Sequence, residues 1–127
     1  MEATKLMYET ETYAIRGAVF DVYAKMGNGF EEPIYQECME LALKDRGIEF
    51  EVQKHLQLHY GEHKLKHFYH PDLFCCGKII VELKACATLA DVDRAQLLNY
   101  LRLTGCRLGL LVNFGSYPKV TIERLAM

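Results

Sequence analysis

The spacing of apolar residues predicts two helices in the first third of the chain. From about Thr12 to Lys25 they recur at i, i+3, i+4 and i+7, which is typical of a helix with one buried face. The sequence Gly27-Asn28-Gly29 should end this helix. A second helix is predicted from about Glu32 to Arg46, with Pro33 in its first turn. The residues expected to be buried are Ile15, Ala18, Val19, Val22 and Met26 in the first helix, and Ile34, Cys38, Leu41 and Ala42 in the second.

Strand patterns follow the two helices. Alternating apolar positions, out of register around Lys54, predict one strand from Glu49 to Tyr60. A second strand is predicted from Leu65 to Phe74, after a turn at Gly61-Glu62. A third strand is predicted from Lys78 to Lys84, after a turn at Cys75-Cys76-Gly77. The three segments therefore indicate a meander of neighbouring strands.

The last third of the chain returns to a helix and then to strands. A helix is predicted from about Val92 to Leu103, with Asp91 as its N-cap. The apolar run from Leu108 to Asn113 indicates a strand buried on both faces, and residues from Val120 to Leu125 alternate as in an edge strand. The order α-α-β-β-β-α-β-β predicts the α/β class, with one mixed sheet flanked by helices.

Composition narrows the class of protein. At 127 residues, the chain has the length of one domain, and we expect residues 1–127 to form it. The net charge of −2 is not that of a strongly basic nucleic-acid-coating protein, and no apolar run approaches the roughly 18 residues of a membrane span. Five cysteines without a CxxC pair, and no apolar leader, predict free thiols and a cytoplasmic location.

Asp72, Glu82 and Lys84 carry the candidate chemistry. Glu82 and Lys84 are two residues apart on a predicted strand, so their side chains should point to the same face. Charges in an otherwise apolar strand are costly to bury unless they are paired or bind a ligand. A three-residue loop before this strand would set Asp72 opposite Ile80, with Glu82 as the diagonal neighbour. Two carboxylates would then face one point, which suits an oxygen-seeking ion such as Mg²⁺. A plain surface salt bridge between Glu82 and Lys84 remains the alternative.

Three motifs in order give the chain a family resemblance. Pro71-Asp72 with Glu82-Leu83-Lys84 resembles the signature of the PD-(D/E)XK nuclease superfamily. The stretch from Gln96 to Tyr100 resembles the Gln-x-x-x-Tyr motif of its RecB-like and lambda-exonuclease-like branches. The stretch from Gly29 to Tyr35 resembles Gly-x-x-Glu-x-x-Tyr, after which one family of this superfamily is named. The likeness extends from about Tyr13 to Leu125 and implies a restriction-endonuclease-like core.

The resemblance implies roles for the residues of the site. Asp72 and Glu82 would bind Mg²⁺ or Mn²⁺, and Lys84 would serve the attacking water or the phosphate. Glu32 would approach the metal or its water from the second helix. Gln96 would orient water or a phosphate. The resemblance therefore predicts a metal-dependent nuclease that hydrolyses phosphodiester bonds, with DNA as the expected substrate.

Nucleic-acid contacts are expected from a local basic patch. Tyr100 shares a helix face with Gln96 and would contact the nucleic-acid backbone. Lys64 and Lys66 would attract phosphates, although lysines also protect edge strands from aggregation. His70 stands where the superfamily pattern favours an Arg-like residue, and it would contact nucleic acid at that position.

A second function stays open at this point. A non-catalytic member of the same fold would bind nucleic acid or a protein as a component of a larger complex. The small size and the near-neutral charge favour such a component, whereas the complete set of acidic and basic positions favours the enzyme. Association with a second copy or with a partner protein is compatible with either reading, and a small-molecule hydrolase is not excluded.

Overall fold

The computed structural model describes residues 6–127 and has helices on both faces of a five-stranded sheet. The helices are α1 (Glu9–Met26), α2 (Glu32–Asp45) and α3 (Asp91–Thr104). The strands are β1 (Phe50–Glu51), β2 (Leu56–Tyr60), β3 (His63–Tyr69), β4 (Leu73–Cys75), β5 (Ile79–Lys84), β6 (Leu108–Asn113) and β7 (Thr121–Ala126). No helix in this part of the chain is long and apolar enough to cross a membrane.

The main sheet is mixed, with the order β1-β4-β5-β6-β7. Strands β5 and β6 are parallel neighbours joined through α3, and the other pairs are antiparallel. Strands β2 and β3 form a separate hairpin around the predicted turn at Gly61-Glu62. The predicted α/β class and the mixed sheet flanked by helices are therefore confirmed.

Each face of the sheet buries its own apolar cluster. Helices α1 and α2 cover the face that carries Ile79, Val81 and Leu83 of β5. Helix α3 and the β2–β3 hairpin cover the opposite face, where Leu97 and Leu101 pack on Ile80. Strand β6 is buried along its whole length, as its apolar sequence predicts.

The prediction of which face of α2 is buried is wrong, because the buried face is rotated about the helix axis relative to the predicted one. Ile34 and Leu41 are 40% and 59% exposed, whereas Tyr35 and Met39 are fully buried. Tyr35 is buried because its ring stacks on Phe114, with centroids 4.4 Å apart, and because its hydroxyl has partners of its own. The α3 boundary also differs slightly, since Ala90 is the N-cap and Asp91 is the first helical residue.

Two of the predicted strands are each broken in two. The segment from Glu49 to Tyr60 divides into β1 and β2 around Gln53, which has a φ of 56°, a value outside the range of strands. The segment from Leu65 to Phe74 divides into β3 and β4 at Pro71, which has no N–H for a ladder hydrogen bond. In both cases, the first and second halves belong to different sheets.

The register of β4 against β5 also differs from the prediction. Phe74 pairs with Ile80, so the same register, extended by one residue, sets Asp72 opposite Glu82 rather than opposite Ile80. The loop consists of residues 76–78 instead of 75–77, because Cys75 still belongs to β4. The shift is of two residues, so Asp72 keeps the predicted sheet face.

The segment that follows β5 is hydrogen-bonded to the end of β6 and packs against the segment that follows it. The buried side chain of Asn113 accepts a hydrogen bond from the Cys86 N–H and donates one to the Cys86 carbonyl. Gly115 passes so close that an added Cβ would lie 2.5 Å from the Cys86 carbonyl oxygen. These contacts fix the carboxyl end of β5, where Glu82 and Lys84 lie.

Candidate metal and active site

Asp72 and Glu82 hold each other in place through the backbone. The Asp72 N–H donates to Glu82 Oε1 at 3.0 Å, and the Leu83 N–H donates to Asp72 Oδ2 at 2.8 Å. The register of β4 against β5 causes this exchange, because it brings the two residues opposite each other. One oxygen of each carboxylate thus accepts a hydrogen bond from a backbone N–H.

The electrostatic environment of the two carboxylates disfavours their charged forms. Burial, and next the negative charge of Asp72, raise the pKa of Glu82 to about 7. Burial also raises the pKa of Asp72, although the hydrogen bond from Leu83 and the charge of Lys84 act against it. A cation beside the pair would relieve both effects.

Lys84 lies next to Glu82 in a small recess between the sheet and α3. We call this the Lys84 recess; it is lined by Tyr69, Glu82, Lys84, Asp93, Gln96, Leu97, Tyr100 and Leu111. Its volume is about 10 Å³, room for about one water molecule. Lys84 Nζ lies 3.8 Å from Asp93 Oδ1 and forms an ion pair with it. The alternative of a plain Glu82–Lys84 surface salt bridge therefore does not describe this strand.

Tyr69 contributes a buried hydroxyl to the same recess. The residue is 7% exposed, and its ring stacks on Tyr100 with centroids 3.8 Å apart. Among the described residues, its hydroxyl is the one buried side-chain nitrogen or oxygen without a hydrogen-bond partner. Burial, and next the charge of Glu82, raise the pKa of this hydroxyl, so it stays protonated as a donor. A donor of this kind is free to bind an oxygen that enters the recess.

Helix α2 supports Asp72 from the other side. Gln36 Nε2 donates to the Asp72 carbonyl at 3.0 Å and to Glu40 Oε2 at 3.0 Å. Glu32 is the first residue of α2, is exposed, and borders the same open cleft as Asp72. This Asp72 cleft has a volume of about 640 Å³; it is lined by Glu32, Pro33, Gln36, Glu40, Val52, Gln53, His70, Pro71, Asp72 and Leu83.

The two α3 residues of the predicted site lie in the recess. Gln96 and Tyr100 are one turn apart on α3 and both line the Lys84 recess, as their spacing predicts. Tyr100 is half-buried by its stacking on Tyr69. The structure therefore brings Gln96 and Tyr100 to Glu82 and Lys84.

The predicted basic residues lie outside the recess. His70 is exposed and lines the Asp72 cleft. Lys64 and Lys66 are exposed on β3 and line neither the cleft nor the recess.

The donor set fits a hard divalent ion. Asp72, immediately before β4, lies opposite Glu82 of β5, and their side chains together with the Tyr69 hydroxyl offer only oxygen atoms. Glu82 and Tyr69 line the Lys84 recess, whereas Asp72 lines the Asp72 cleft. Within residues 6–127, no group of three or more His, Cys, Asp or Glu side chains is positioned to hold a metal. An ion here would therefore take two protein ligands and complete its shell with water or substrate, as Mg²⁺ commonly does.

Sequence reasoning missed Tyr69, Gln36 and Asp93. No sequence signal indicates the contact of Gln36 with Asp72, because the two residues are 36 positions apart. The same holds for Asp93, which lies on a different element from its partner Lys84. Tyr69 is three residues before Asp72 in a stretch that reads as an ordinary strand. Its burial depends on α3, which follows much later in the chain.

The mixed sheet with helices on both faces, and the carboxylates of Asp72 and Glu82 near Lys84, are consistent with a restriction-endonuclease-like fold. The sequence pattern of the PD-(D/E)XK nuclease superfamily matches residues 9–125, so the chain belongs to this superfamily. Among solved structures, the crystal structure of SSO0001 is similar, with a TM-score of 0.59 and 19% identity over 94% of this chain. The chain spans 59% of that structure's length, and the likeness concerns the fold. No curated protein sequence matches the chain.

Proposed function

We propose that the protein is a metal-dependent nuclease that hydrolyses phosphodiester bonds of nucleic acid, with DNA as the substrate. The observation that supports this most directly is the reciprocal hydrogen bonding of Asp72 and Glu82, which fixes the positions of the two carboxylates. Membership of the PD-(D/E)XK superfamily supports a nuclease in general.

In this proposal, Asp72 and Glu82 bind Mg²⁺ or Mn²⁺. The ion would supply charge stabilisation at the phosphate and activation of water. Lys84 holds a positive charge beside Glu82, where it would bind a phosphate oxygen or position water. The 3.8 Å contact with Asp93 would keep the Lys84 side chain extended across the recess.

The remaining predicted residues take supporting roles in the proposal. Glu32 would approach the metal or its water from the Asp72 cleft, and Gln96 would orient water or a phosphate in the recess. Tyr100, His70, Lys64 and Lys66 would contact the nucleic acid. Tyr100 is held by its stacking on Tyr69, whereas the other three are exposed.

We also propose the finer assignment to the family named after Gly-x-x-Glu-x-x-Tyr, related to the RecB-like and lambda-exonuclease-like branches. The contacts of Tyr35 give its motif a structural reason. The Tyr35 hydroxyl donates to the Gly27 carbonyl at 2.6 Å and accepts from the Phe30 N–H at 3.3 Å. The motif would thus hold the loop before α2 and set where Glu32 begins the helix. The cytoplasmic location predicted from the cysteines stays a prediction.

A non-catalytic binding member of the same fold is the second candidate. It is favoured by the net charge of −2 and by the lack of a three-residue metal cluster in the described part of the chain. Such a protein would act with another protein or a second copy of itself. It would bind nucleic acid or a protein as a component of a larger complex, without cleaving nucleic acid.

A cleavage panel separates the two candidates. Labelled single- and double-stranded DNA and RNA would be incubated with the protein in Mg²⁺, Mn²⁺ or EDTA. We expect metal-dependent cleavage by the wild type, a loss of at least about 100-fold in Asp72→Asn, and a similar loss in Lys84→Ala. Lys119→Ala, at an exposed lysine in the loop before β7, is the control and should cleave normally. Cleavage that persists in Asp72→Asn would refute the assigned site.

A further inference from the structure

The β2–β3 hairpin has one covered face and one open face. Leu58 and Tyr69 are buried against α3 and the sheet, with Leu56 packed beside them. Residues 63–68 of β3 are all exposed. Lys64, Lys66 and Phe68 are exposed along this strand, which is irregular here because its pairing with β2 shifts register. This open face is unpartnered in the described chain.

Three rings connect the open face to the Asp72 cleft. His70 lines the cleft, and its ring lies edge-on to His55 with centroids 4.4 Å apart. His55 lies 5.7 Å from the ring of Phe68, which is 44% exposed. The rings of His70, His55 and Phe68 therefore form a continuous exposed row from the Asp72 cleft to β3.

The charge along this row is positive or neutral. Residues 63–70 read HKLKHFYH and contain two lysines, three histidines and no acidic residue. The cleft itself carries Glu32, Glu40 and Asp72, which would repel a phosphate backbone in the absence of a cation. Attraction for nucleic acid thus lies on the hairpin rather than in the cleft.

We propose that the open face of the hairpin binds single-stranded nucleic acid. Phe68, with His55 and His70, would stack on unpaired bases, and Lys64 and Lys66 would contact phosphates. Rings with exposed faces beside lysines are the combination that binds single strands, because the bases of a duplex are already stacked on one another. This proposal rests on the proposed function in one respect only. The nuclease proposal supplies the destination of the bound nucleic-acid strand, which is the Asp72 cleft.

Binding without metal tests this proposal separately from cleavage. The anisotropy of a short labelled DNA single strand and of the matching duplex would be measured in EDTA. We expect wild type to bind the single strand more tightly. Phe68→Ala should weaken single-strand binding about tenfold, and Phe68→Trp should retain it. Phe20→Ala is the matched control, since Phe20 is 48% exposed on α1, and its binding should equal that of wild type.

The lysines give a second, electrostatic measurement. The double variant Lys64→Ala, Lys66→Ala should weaken binding of both the single strand and the duplex. The slope of log affinity against log salt concentration should fall by the amount expected for the loss of about two phosphate contacts. Equal affinity for single strand and duplex, or an unchanged Phe68→Ala, would overturn the proposal even if the protein cleaves DNA in Mn²⁺. A preference of wild type for the single strand that is lost in Phe68→Ala would support the binding proposal, even if no cleavage occurs. In that case only the nuclease proposal would fail.

Discussion

Replacing Glu82 by glutamine is expected to stabilise the metal-free protein at pH 8. Burial, and next the charge of Asp72, raise the pKa of Glu82 from 4.5 to about 7 in the folded chain. The folded protein therefore binds more protons than the unfolded chain between these two values, and wild-type stability falls as the pH rises through that window. Glutamine is neutral throughout and keeps an oxygen to accept from the Asp72 N–H.

The magnitude follows from the difference in pKa. Each pKa unit is worth about 1.4 kcal/mol, so the charged Glu82 lowers the free energy of unfolding by about 3 kcal/mol above pH 7. Glu82→Gln should therefore exceed wild type by about that amount at pH 8. This pH-dependent difference should shrink as the pH falls from 7 towards 4.5 and level off below 4.5, where wild-type Glu82 is protonated in both the folded and the unfolded state.

Urea denaturation in EDTA at several pH values measures this difference. Titrating groups distant from Glu82 affect both proteins alike, whereas Asp72 is coupled to Glu82 and contributes to the difference, so the difference in stability between the two proteins is compared. Glu37→Gln, at an exposed position of α2, is the control and should show no comparable pH-dependent gain. A Glu82→Gln effect that is equal at pH 5 and pH 8 would refute the inference that Glu82 is held in a charge-disfavouring site.

Three further variants test the structure around the site. Tyr35→Phe should lower the free energy of unfolding by about 1–2 kcal/mol, because the hydroxyl has two partners, as measured by urea denaturation. Tyr69→Phe in the same assay should cost nothing or stabilise the metal-free protein, because its hydroxyl has no partner; an equal loss in both variants would contradict the structure. Gly115→Ala should lower the melting temperature and cost about 2–3 kcal/mol, because its Cβ would meet the Cys86 backbone; normal stability would contradict that contact.

Periodicity predicted the elements that are long and regular. Helix α1 and strand β6 follow directly from apolar spacing, and the pairing of β4 with β5 follows from the turn between them. The face of α2 was misjudged because residue spacing alone does not weigh a buried tyrosine against aliphatic residues. Tyr35 is buried by its stack on Phe114, which comes from the far end of the chain.

The site was predictable where its chemistry is local. Asp72, Glu82 and Lys84 lie within thirteen consecutive residues, and strand alternation is enough to place them together. The strand breaks near Gln53 and at Pro71 were missed although each had a local signal: the apolar pattern is out of register around Lys54, and proline cannot donate a ladder hydrogen bond. The contacts of Tyr69 with Tyr100 and of Gln36 with Asp72 depend on how distant elements pack, which no local pattern records.

The central claim is that Asp72 and Glu82 form a divalent-metal site. Titration calorimetry with Mn²⁺, together with melting curves, tests it most directly. Wild type should bind the ion, and Mn²⁺ at ten times its dissociation constant should add about 1.4 kcal/mol of stability. Asp72→Asn can still accept from the Leu83 N–H, so it should fold but lose the binding heat and the stabilisation. Glu37→Gln should behave as wild type. Full Mn²⁺ binding by Asp72→Asn, or none by wild type, would contradict the account.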